Sequence, residues 1–337
     1  MRLGILDQSP IRAGGTPAEA VAETLDLARA AERLGYRRYW VAEHHNSQGL
    51  AGSAPEILTA AIAAATRTIR VGTGGVMLSH YAPLKVAETF RMLETLYPGR
   101  IDLGIGRAPG GDFRTTRALQ HGPGALGIEH FPAQIDTLLG FLADALPEGH
   151  PFAGIQANPI GQSIPEPWLL GSSDASAAYA AHFGCAFSYA HFINDEGGPE
   201  VMEAYRRHFR PSRFFAAPQG SIGVFALCAE SAAEAERLAA SRDLWRLRLD
   251  LGVLGPVPSV EEALAYPYSE RERARVAFNR RRQIVGTPRD VKKRLDALAA
   301  DYGVEELAIV AICHDSAARL RSYELLAEAF GLTAPAA

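Results

Sequence analysis

Cysteine is scarce in this sequence, and no two cysteines lie close together. The 337-residue chain has three, Cys185, Cys228 and Cys313, and no pair has the spacing of a metal site or a redox motif. Each cysteine lies in an apolar run typical of a strand, so we expect three free thiols in the core. The cysteines therefore give no indication of metal or redox chemistry.

Long apolar runs and a strong charge of one sign are also absent. No stretch approaches the roughly 20 apolar residues that span a bilayer, and Met1–Asp7 lacks the apolar segment of a signal peptide. The net charge of −4 gives no electrostatic reason to expect nucleic acid or an anionic membrane as a partner. We therefore expect a cytoplasmic protein that binds neither nucleic acid nor membrane.

Eight short apolar runs are distributed over the whole chain. Their apolar character is continuous rather than alternating, as is typical of parallel strands covered on both faces. Helical patterns lie between them, with start signals such as the capping box Thr16-Pro17-Ala18-Glu19. This alternation predicts an α/β fold of the (β/α)8 TIM-barrel type. The runs begin near Leu3, Tyr39, Ile69, Ile101, Trp168, Cys185, Ser221 and Leu307.

The spacing of the runs is regular except after the fourth and the seventh. The long gaps there predict insertions at roughly Arg107–Pro165 and Gly252–Gly286. A doubly wound sheet would more naturally divide the chain in two, and no linker marks such a division. We therefore predict a single domain over residues 1–337, in which Val253–Arg282 is a potential lid.

An acid and two histidines, Glu43-His44-His45, follow the second apolar run. Burying such groups unpaired inside a strand is costly, whereas the carboxyl-terminal tips of barrel strands are where catalytic sites are built. A pair of surface histidines is the simpler interpretation, and a zinc site is weaker because no third ligand stands at a recognisable spacing. The position favours a catalytic role without a metal.

Three further motifs follow the neighbouring strands. Gly74-Gly75 permits close approach of a flat ligand, Arg107 suits a phosphate, and Ser172-Ser173 with Ser176 stands at a helix start, which binds phosphate readily. Each alone also fits an ordinary turn, a solvated arginine or an N-cap. Because the strand tips of a barrel share one face, the set together predicts a pocket for a flat phosphorylated cofactor.

An arginine-rich segment, Arg271–Arg275 and then Arg280–Arg282, lies in the second insertion. Acids interleave with the arginines and the whole chain is mildly acidic, which argues against nucleic-acid binding. We interpret the segment as a solvated helix face.

Taken together, these motifs resemble those of the bacterial luciferase-like flavin-dependent oxidoreductases, the luciferase-like monooxygenase family. The resemblance implies a (β/α)8 barrel that binds FMN, usually reduced, at the carboxyl ends of its strands. It also implies a homodimer packed through the helices that follow strands 2 and 3. The matching segments are AEHHN at Ala42–Asn46, VGTGGVML at Val71–Leu78, YPGRIDLGIGRAPG at Tyr97–Gly110, WLLGSS at Trp168–Ser173 and IVGTP at Ile284–Pro288.

The resemblance also assigns roles position by position. His44 matches the active-site histidine, with Glu43 and His45 expected to support it, and Gly74-Gly75 matches a cis peptide lying against the isoalloxazine ring. Gly106 stands where the light-emitting luciferases carry a reactive cysteine, so light emission is not expected. The positions that match phosphate ligands are Arg107, Ser172, Ser173 and Ser176.

The implied activity is that of a flavin-dependent monooxygenase. Reduced FMN from a separate flavin reductase would react with O2 to a flavin C4a-peroxide, which would oxygenate a small organic substrate. His44, with an ordinary pKa near neutrality, would move a proton or stabilise the peroxide. The alternatives are an oxidoreductase that depends on the deazaflavin F420 and a non-catalytic flavin-binding or storage protein.

Overall fold

Strands and helices alternate along the computed structural model, which describes residues 1–108, 110–120 and 127–334. The strands in these residues are β1 (Arg2–Asp7), β2 (Arg38–Val41), β3 (Arg70–Thr73), β4 (Val76–Met77), β5 (Ile101–Gly106), β6 (Glu166–Gly171), β7 (Ala186–Ala190), β8 (Gly220–Cys228), β9 (Gln283–Gly286) and β10 (Glu306–Val310). The α-helices there are α1 (Pro17–Leu34), α2 (Pro55–Ala65), α3 (Pro83–Leu96), α4 (Phe113–Leu119), α5 (Phe131–Ala143), α6 (Asp174–Phe183), α7 (Gly198–His208), α8 (Ala232–Asp250), α9 (Val260–Ala265), α10 (Glu270–Arg280), α11 (Pro288–Tyr302) and α12 (Ser316–Phe330).

The paired strands run parallel, and their order closes the sheet into a barrel. Pairing passes from β1 through β2, β3, β5, β6, β7 and β8 to β10, which pairs with β1 again. After Gly74 and Gly75, the short β4 follows β3 and pairs with the end of β5. The closed eight-stranded parallel barrel with surrounding helices confirms the predicted TIM-barrel fold.

The eight predicted runs each begin within two residues of an observed strand. The capping box at Thr16 is also present, because the Thr16 side chain accepts from the Glu19 N–H and the Glu19 carboxylate accepts from the Thr16 N–H. Burial on both faces and local capping chemistry are therefore enough to locate most elements in this sequence.

Besides the two-residue β4, one strand, β9, falls outside the eight predicted runs. It lies at the end of the second insertion and pairs with the last four residues of β8, Phe225–Cys228, while β10 pairs with Ile222–Phe225. Only Ile284 and Val285 of its four residues are apolar, so β9 does not stand out from a loop by its apolar character. It ties the insertion to the barrel wall.

The barrel interior is filled with large side chains, which leaves its carboxyl end as the place for a ligand. Tyr39 points outward, where its hydroxyl donates to Asp7, so the neighbouring Trp40 points inward. Trp40 packs edge-to-face against Trp168 with 5.1 Å between ring centroids, and its Nε1 donates to the buried Asp102.

In the described ranges, no helix combines the length and apolarity needed to cross a bilayer.

Candidate functional site at the carboxyl ends of the strands

A cavity of about 790 Å³ opens at the carboxyl ends of neighbouring strands, and we call it the larger cavity. Its lining brings together all six residues that the sequence assigned to a cofactor, although their roles remain predictions. The lining also includes Met77 and Gln120, which no sequence motif singled out. The six are Gly74, Gly75, Arg107, Ser172, Ser173 and Ser176.

Gly74 and Gly75 form one wall where the backbone lies directly on the barrel. The peptide bond between them is cis, and the Gly74 N–H donates to the Val41 carbonyl of β2. A Cβ atom at Gly75 would lie 2.6 Å from the Gly104 carbonyl oxygen, and one at Gly74 would lie 2.4 Å from a Leu6 methyl. Side chains are thereby excluded, and the bare backbone offers a flat surface to the cavity.

Glu43 is completely buried and fastens the backbone beyond these glycines. Its Oε2 accepts from the Met77 N–H at 2.8 Å, and its Oε1 accepts from the Tyr81 hydroxyl at 2.7 Å. The same Oε1 lies 2.6 Å from His45 Nε2. Glu43 thus holds the β4 segment and His45 contacts Glu43, while the supporting role expected for both residues beside His44 stays a prediction.

The serine cluster lies at the start of α6, where the helix dipole is positive. Ser173 is the N-cap, and its Oγ accepts from the Ser176 N–H. The Ser173 and Ser176 hydroxyls are 3.3 Å apart, and the Asn194 side chain donates to the Ser172 carbonyl. Hydroxyls and amides converging at a helix N-terminus suit a phosphate.

Arg107 lies in the same lining, at the end of β5. No described residue forms an ion pair with its guanidinium, so it can contribute its charge to an anion at the α6 start. Pro109, which belongs to the same sequence motif, lies outside the described residues.

His44 does not line the larger cavity. It lines a second cavity of about 340 Å³, which we call the His44 cavity, and the two cavities share Phe192 and Ile193 as a wall. Among the described residues its Nδ1 has no hydrogen-bond partner, whereas its backbone N–H donates to the Gly52 carbonyl. The predicted catalytic residue thus stands beside the predicted cofactor residues, across the Phe192–Ile193 wall.

The surroundings also correct the charge state expected for His44. Burial, and secondarily the nearby His45, lowers the pKa of His44 to about 4. The near-neutral pKa expected from an ordinary histidine does not apply here. At pH 7 this side chain is a neutral imidazole that can accept a proton or donate one hydrogen bond.

The residues of the larger cavity fit a flavin nucleotide. One wall is a side-chain-free backbone surface that a flat ring can approach, and another part carries hydroxyls, helix amides and an arginine for a phosphate. The volume of about 790 Å³ lies within the range of sites for cofactors and drug-sized ligands. Among the described residues, no cluster of three or more histidine, cysteine or acidic side chains could hold a metal ion.

Arg242 and Arg282 are residues of the His44 cavity that sequence patterns missed as site residues. Arg242 sits within α8 with no motif around it. Arg282 belongs to the arginine-rich segment, interpreted as a solvated face, yet its guanidinium donates to the Ile193 carbonyl at 2.6 Å. Only the tertiary fold places both beside His44.

A family model described as luciferase-like monooxygenase matches residues 1–324. Uncharacterized protein YceB of Bacillus subtilis strain 168 is 46% identical over 330 residues, which covers 98% of this chain and 99% of that protein. The N-acetyl-S-alkylcysteine monooxygenase of the same strain is 39% identical over 334 residues, which covers 98% of each protein.

Several solved structures also match this chain over nearly its whole length. The structure of apo-MsnO8 matches with a TM-score of 0.90 and 41% identity, over 98% of this chain and 99% of that chain. The oxygenating constituent of 3,6-diketocamphane monooxygenase, in complex with FMN, matches with a TM-score of 0.69 and 19% sequence identity over 97% of each chain. An F420-dependent secondary alcohol dehydrogenase matches with a TM-score of 0.68 and 13% sequence identity, over 97% of this chain and 98% of that chain. The last two likenesses concern the fold alone.

Proposed function

Because this chain belongs to the luciferase-like monooxygenase family, we propose that it is a flavin-dependent monooxygenase that uses reduced FMN and O2 to oxygenate a small organic molecule. The observation that carries this proposal is the larger cavity, which joins a side-chain-free glycine wall to a phosphate-type helix start. Bound reduced FMN supplies two electrons for the reaction. One atom of O2 then enters the substrate and the other leaves as water.

The residues of this chain would position the cofactor and present His44 beside it. Arg107 and the start of α6, with Ser172, Ser173 and Ser176, would bind the phosphate of the cofactor, and Gly74 and Gly75 would offer a side-chain-free surface to its ring. His44 is held neutral by burial, and its buried Nδ1, which has no partner among the described residues, can accept or donate one hydrogen bond beside the larger cavity.

FMN is favoured as the cofactor over F420. A monooxygenase structure with FMN shares the fold, and the relative at 39% identity is named as a monooxygenase. The F420-dependent dehydrogenase shares the fold at 13% identity, which keeps F420 as an outcome of the test. The sequence has no NAD(P)H fingerprint, so we propose that a separate flavin reductase delivers reduced FMN.

The Arg282 contact supports the proposed lid. Arg281 pairs with Asp195 and Glu196, and Arg282 donates to the Ile193 carbonyl, so the end of the second insertion is fastened to the loop after β7. This loop forms the wall between the two cavities. A covering segment of this kind limits the access of water to the reacting groups.

The test is a stopped-flow reaction of the anaerobic reduced-FMN complex with oxygenated buffer. We expect an absorbing species, distinct from both reduced and oxidised FMN, that outlives the oxidation of free reduced FMN under the same conditions. The protein around the larger cavity would exclude water and so slow the conversion of this species to oxidised FMN.

Two outcomes would contradict the proposal. Tight FMN binding, followed by direct conversion of reduced to oxidised FMN on mixing with O2, would support a storage protein. Binding of reduced F420 with no binding of reduced FMN would support an F420-dependent oxidoreductase. Free reduced FMN at the same concentration, without protein, is the reference.

A further inference from the structure

Arg242 is a buried cation on α8 that lacks acceptors for part of its guanidinium in the described residues. The residue is only 7% exposed, and among the described residues its Nε and Nη1 have no hydrogen-bond partner. Its guanidinium carbon lies 3.6 Å from the centroid of the Phe225 ring, a contact that stabilises the charge but leaves the edge donors free. Unsatisfied buried donors are costly and uncommon, so they point to a ligand.

The nearest acid on the same helix is already engaged elsewhere. Asp243 accepts from Arg280 Nε at 2.6 and 2.8 Å and from the Gln283 side chain at 3.3 Å. Burial lowers the pKa of Arg242 to about 9, which leaves the guanidinium cationic at neutral pH. In the part of the chain that the structure describes, the Nε and Nη1 donors of this cation therefore have no anionic partner.

Arg242 lines the His44 cavity, whose charged lining is entirely basic. Arg246 and Arg282 also line it, and no carboxylate does among the described residues. Arg246 donates to Asp250, and Arg282 donates to the Ile193 carbonyl and to Asn279, so both of these arginines use donors on the protein. In the described part of the chain, Arg242 is the arginine of this cavity whose buried Nε and Nη1 lack an acceptor.

The rest of the lining is largely apolar. Its side chains can cover a hydrocarbon body, while the volume of about 340 Å³ restricts the ligand to a small molecule. The shared wall at Phe192 and Ile193 places such a ligand beside the larger cavity. The apolar residues of the lining include Leu50, Phe192, Phe225, Trp245 and Leu249.

We propose that the His44 cavity is the substrate site and that the substrate is a small organic carboxylate with an apolar body, whose carboxylate is bound by Arg242. The proposal rests on the proposed function for the larger cavity, because it is the flavin that would make this neighbouring cavity a substrate site. A planar guanidinium offers two parallel N–H donors to a carboxylate. A neutral analogue of the same shape would leave the cation unpaired.

The first test compares two probes on the wild-type protein by isothermal titration calorimetry. Hexanoate carries the carboxylate, and hexanamide has nearly the same size without the charge. We expect hexanoate to bind about 10- to 100-fold more tightly, in keeping with hydrogen bonds to a charged group. The titration is done with and without saturating FMN, so the result does not depend on turnover.

Two variants locate the preference. We expect Arg242→Gln to abolish the preference for hexanoate and Arg242→Lys to retain part of it, because a lysine keeps the charge but not the planar fork. The matched control is Arg237→Gln on the same helix, at an exposed arginine that pairs with Glu234 and Glu261 outside the cavity. This control should keep the full wild-type preference.

Each result decides the proposal. If wild-type protein shows no preference for hexanoate, whether both probes bind alike or neither binds, the proposal is overturned even if Arg242→Gln fails to fold. A preference that persists in a folded Arg242→Gln variant also overturns it. Loss of FMN binding with an intact hexanoate preference would instead overturn the proposed function and leave an anion site at Arg242.

Discussion

At the scale of single residues, His44 is held in surroundings that oppose its charge. Burial, with a smaller contribution from His45, lowers its pKa from 6.5 to about 4. Between these two pH values the unfolded chain binds a proton that the folded chain does not. The free energy of unfolding therefore rises with pH across this window, and the His44 contribution is lost as pH falls from 6.5 towards 4.

This residue gives a pH-dependent prediction. In His44→Gln the titrating group is gone, so the variant should lose less stability than wild type between pH 6.5 and pH 4, by up to about 3 kcal/mol. Urea unfolding at a series of pH values measures the difference. His130→Gln, at an exposed histidine side chain, is the control and should follow the wild-type curve. Parallel curves for wild type and His44→Gln would mean that His44 is not buried as described.

Single residues also differ in how well the sequence alone identifies them as part of the site. His44, Gly74, Gly75 and Arg107 could be singled out because they follow apolar runs at the ends of strands. Arg242 could not, since nothing in its helix distinguishes a buried arginine from a solvated one. Its burial depends on the second insertion and on Phe225, which are distant in sequence and meet only in the folded barrel.

At the scale of secondary structure elements, α2 and α3 expose apolar side chains that a lone chain would leave in water. Ile57 on α2 is 67% exposed, and Met92 and Leu96 on α3 are 49% and 58% exposed. These are the helices after the second and third strands, where the family resemblance implies a homodimer. We therefore propose that the two helices pack against those of a second copy.

Light scattering after size-exclusion chromatography tests this proposal. We expect wild type to have twice the mass of one chain and Ile57→Glu to have the mass of one chain, because a buried unpaired carboxylate would oppose association. The control is Leu264→Glu, at a residue that is 64% exposed on α9, and it should remain a dimer. A wild-type protein with the mass of one chain would refute the interface.

Elements also differ in how well the sequence announces them. The eight barrel strands were predicted because burial on both faces makes them continuously apolar. The four-residue β9 and the two-residue β4 lack that signal, and their pairing with β8 and β5 is set by tertiary contacts. Met77 of β4 lines the larger cavity, and Arg282, directly before β9, lines the His44 cavity, so these parts of the site were missed with the two strands.

At the scale of the whole molecule, the barrel presents two adjoining cavities at one face. The larger one carries the features of a flavin-nucleotide site, and the smaller one carries His44 and an all-arginine set of charges. The tryptophans Trp40 and Trp168 pack against each other in the barrel interior. The central claim of this account is that the larger cavity binds reduced FMN through the start of α6.

The most direct test of that claim is the dissociation constant of reduced FMN, measured by anaerobic titration of wild type and two helix-cap variants. Ser173→Ala and Ser231→Ala each remove a side-chain N-cap, of α6 and α8 respectively, and each should cost about 1 kcal/mol of stability. Only Ser173→Ala should weaken reduced FMN binding, by about 10-fold. Reduced riboflavin, which has no phosphate, should bind both variants alike. No binding of reduced FMN to wild type, or equal affinities in the two variants, would contradict the account.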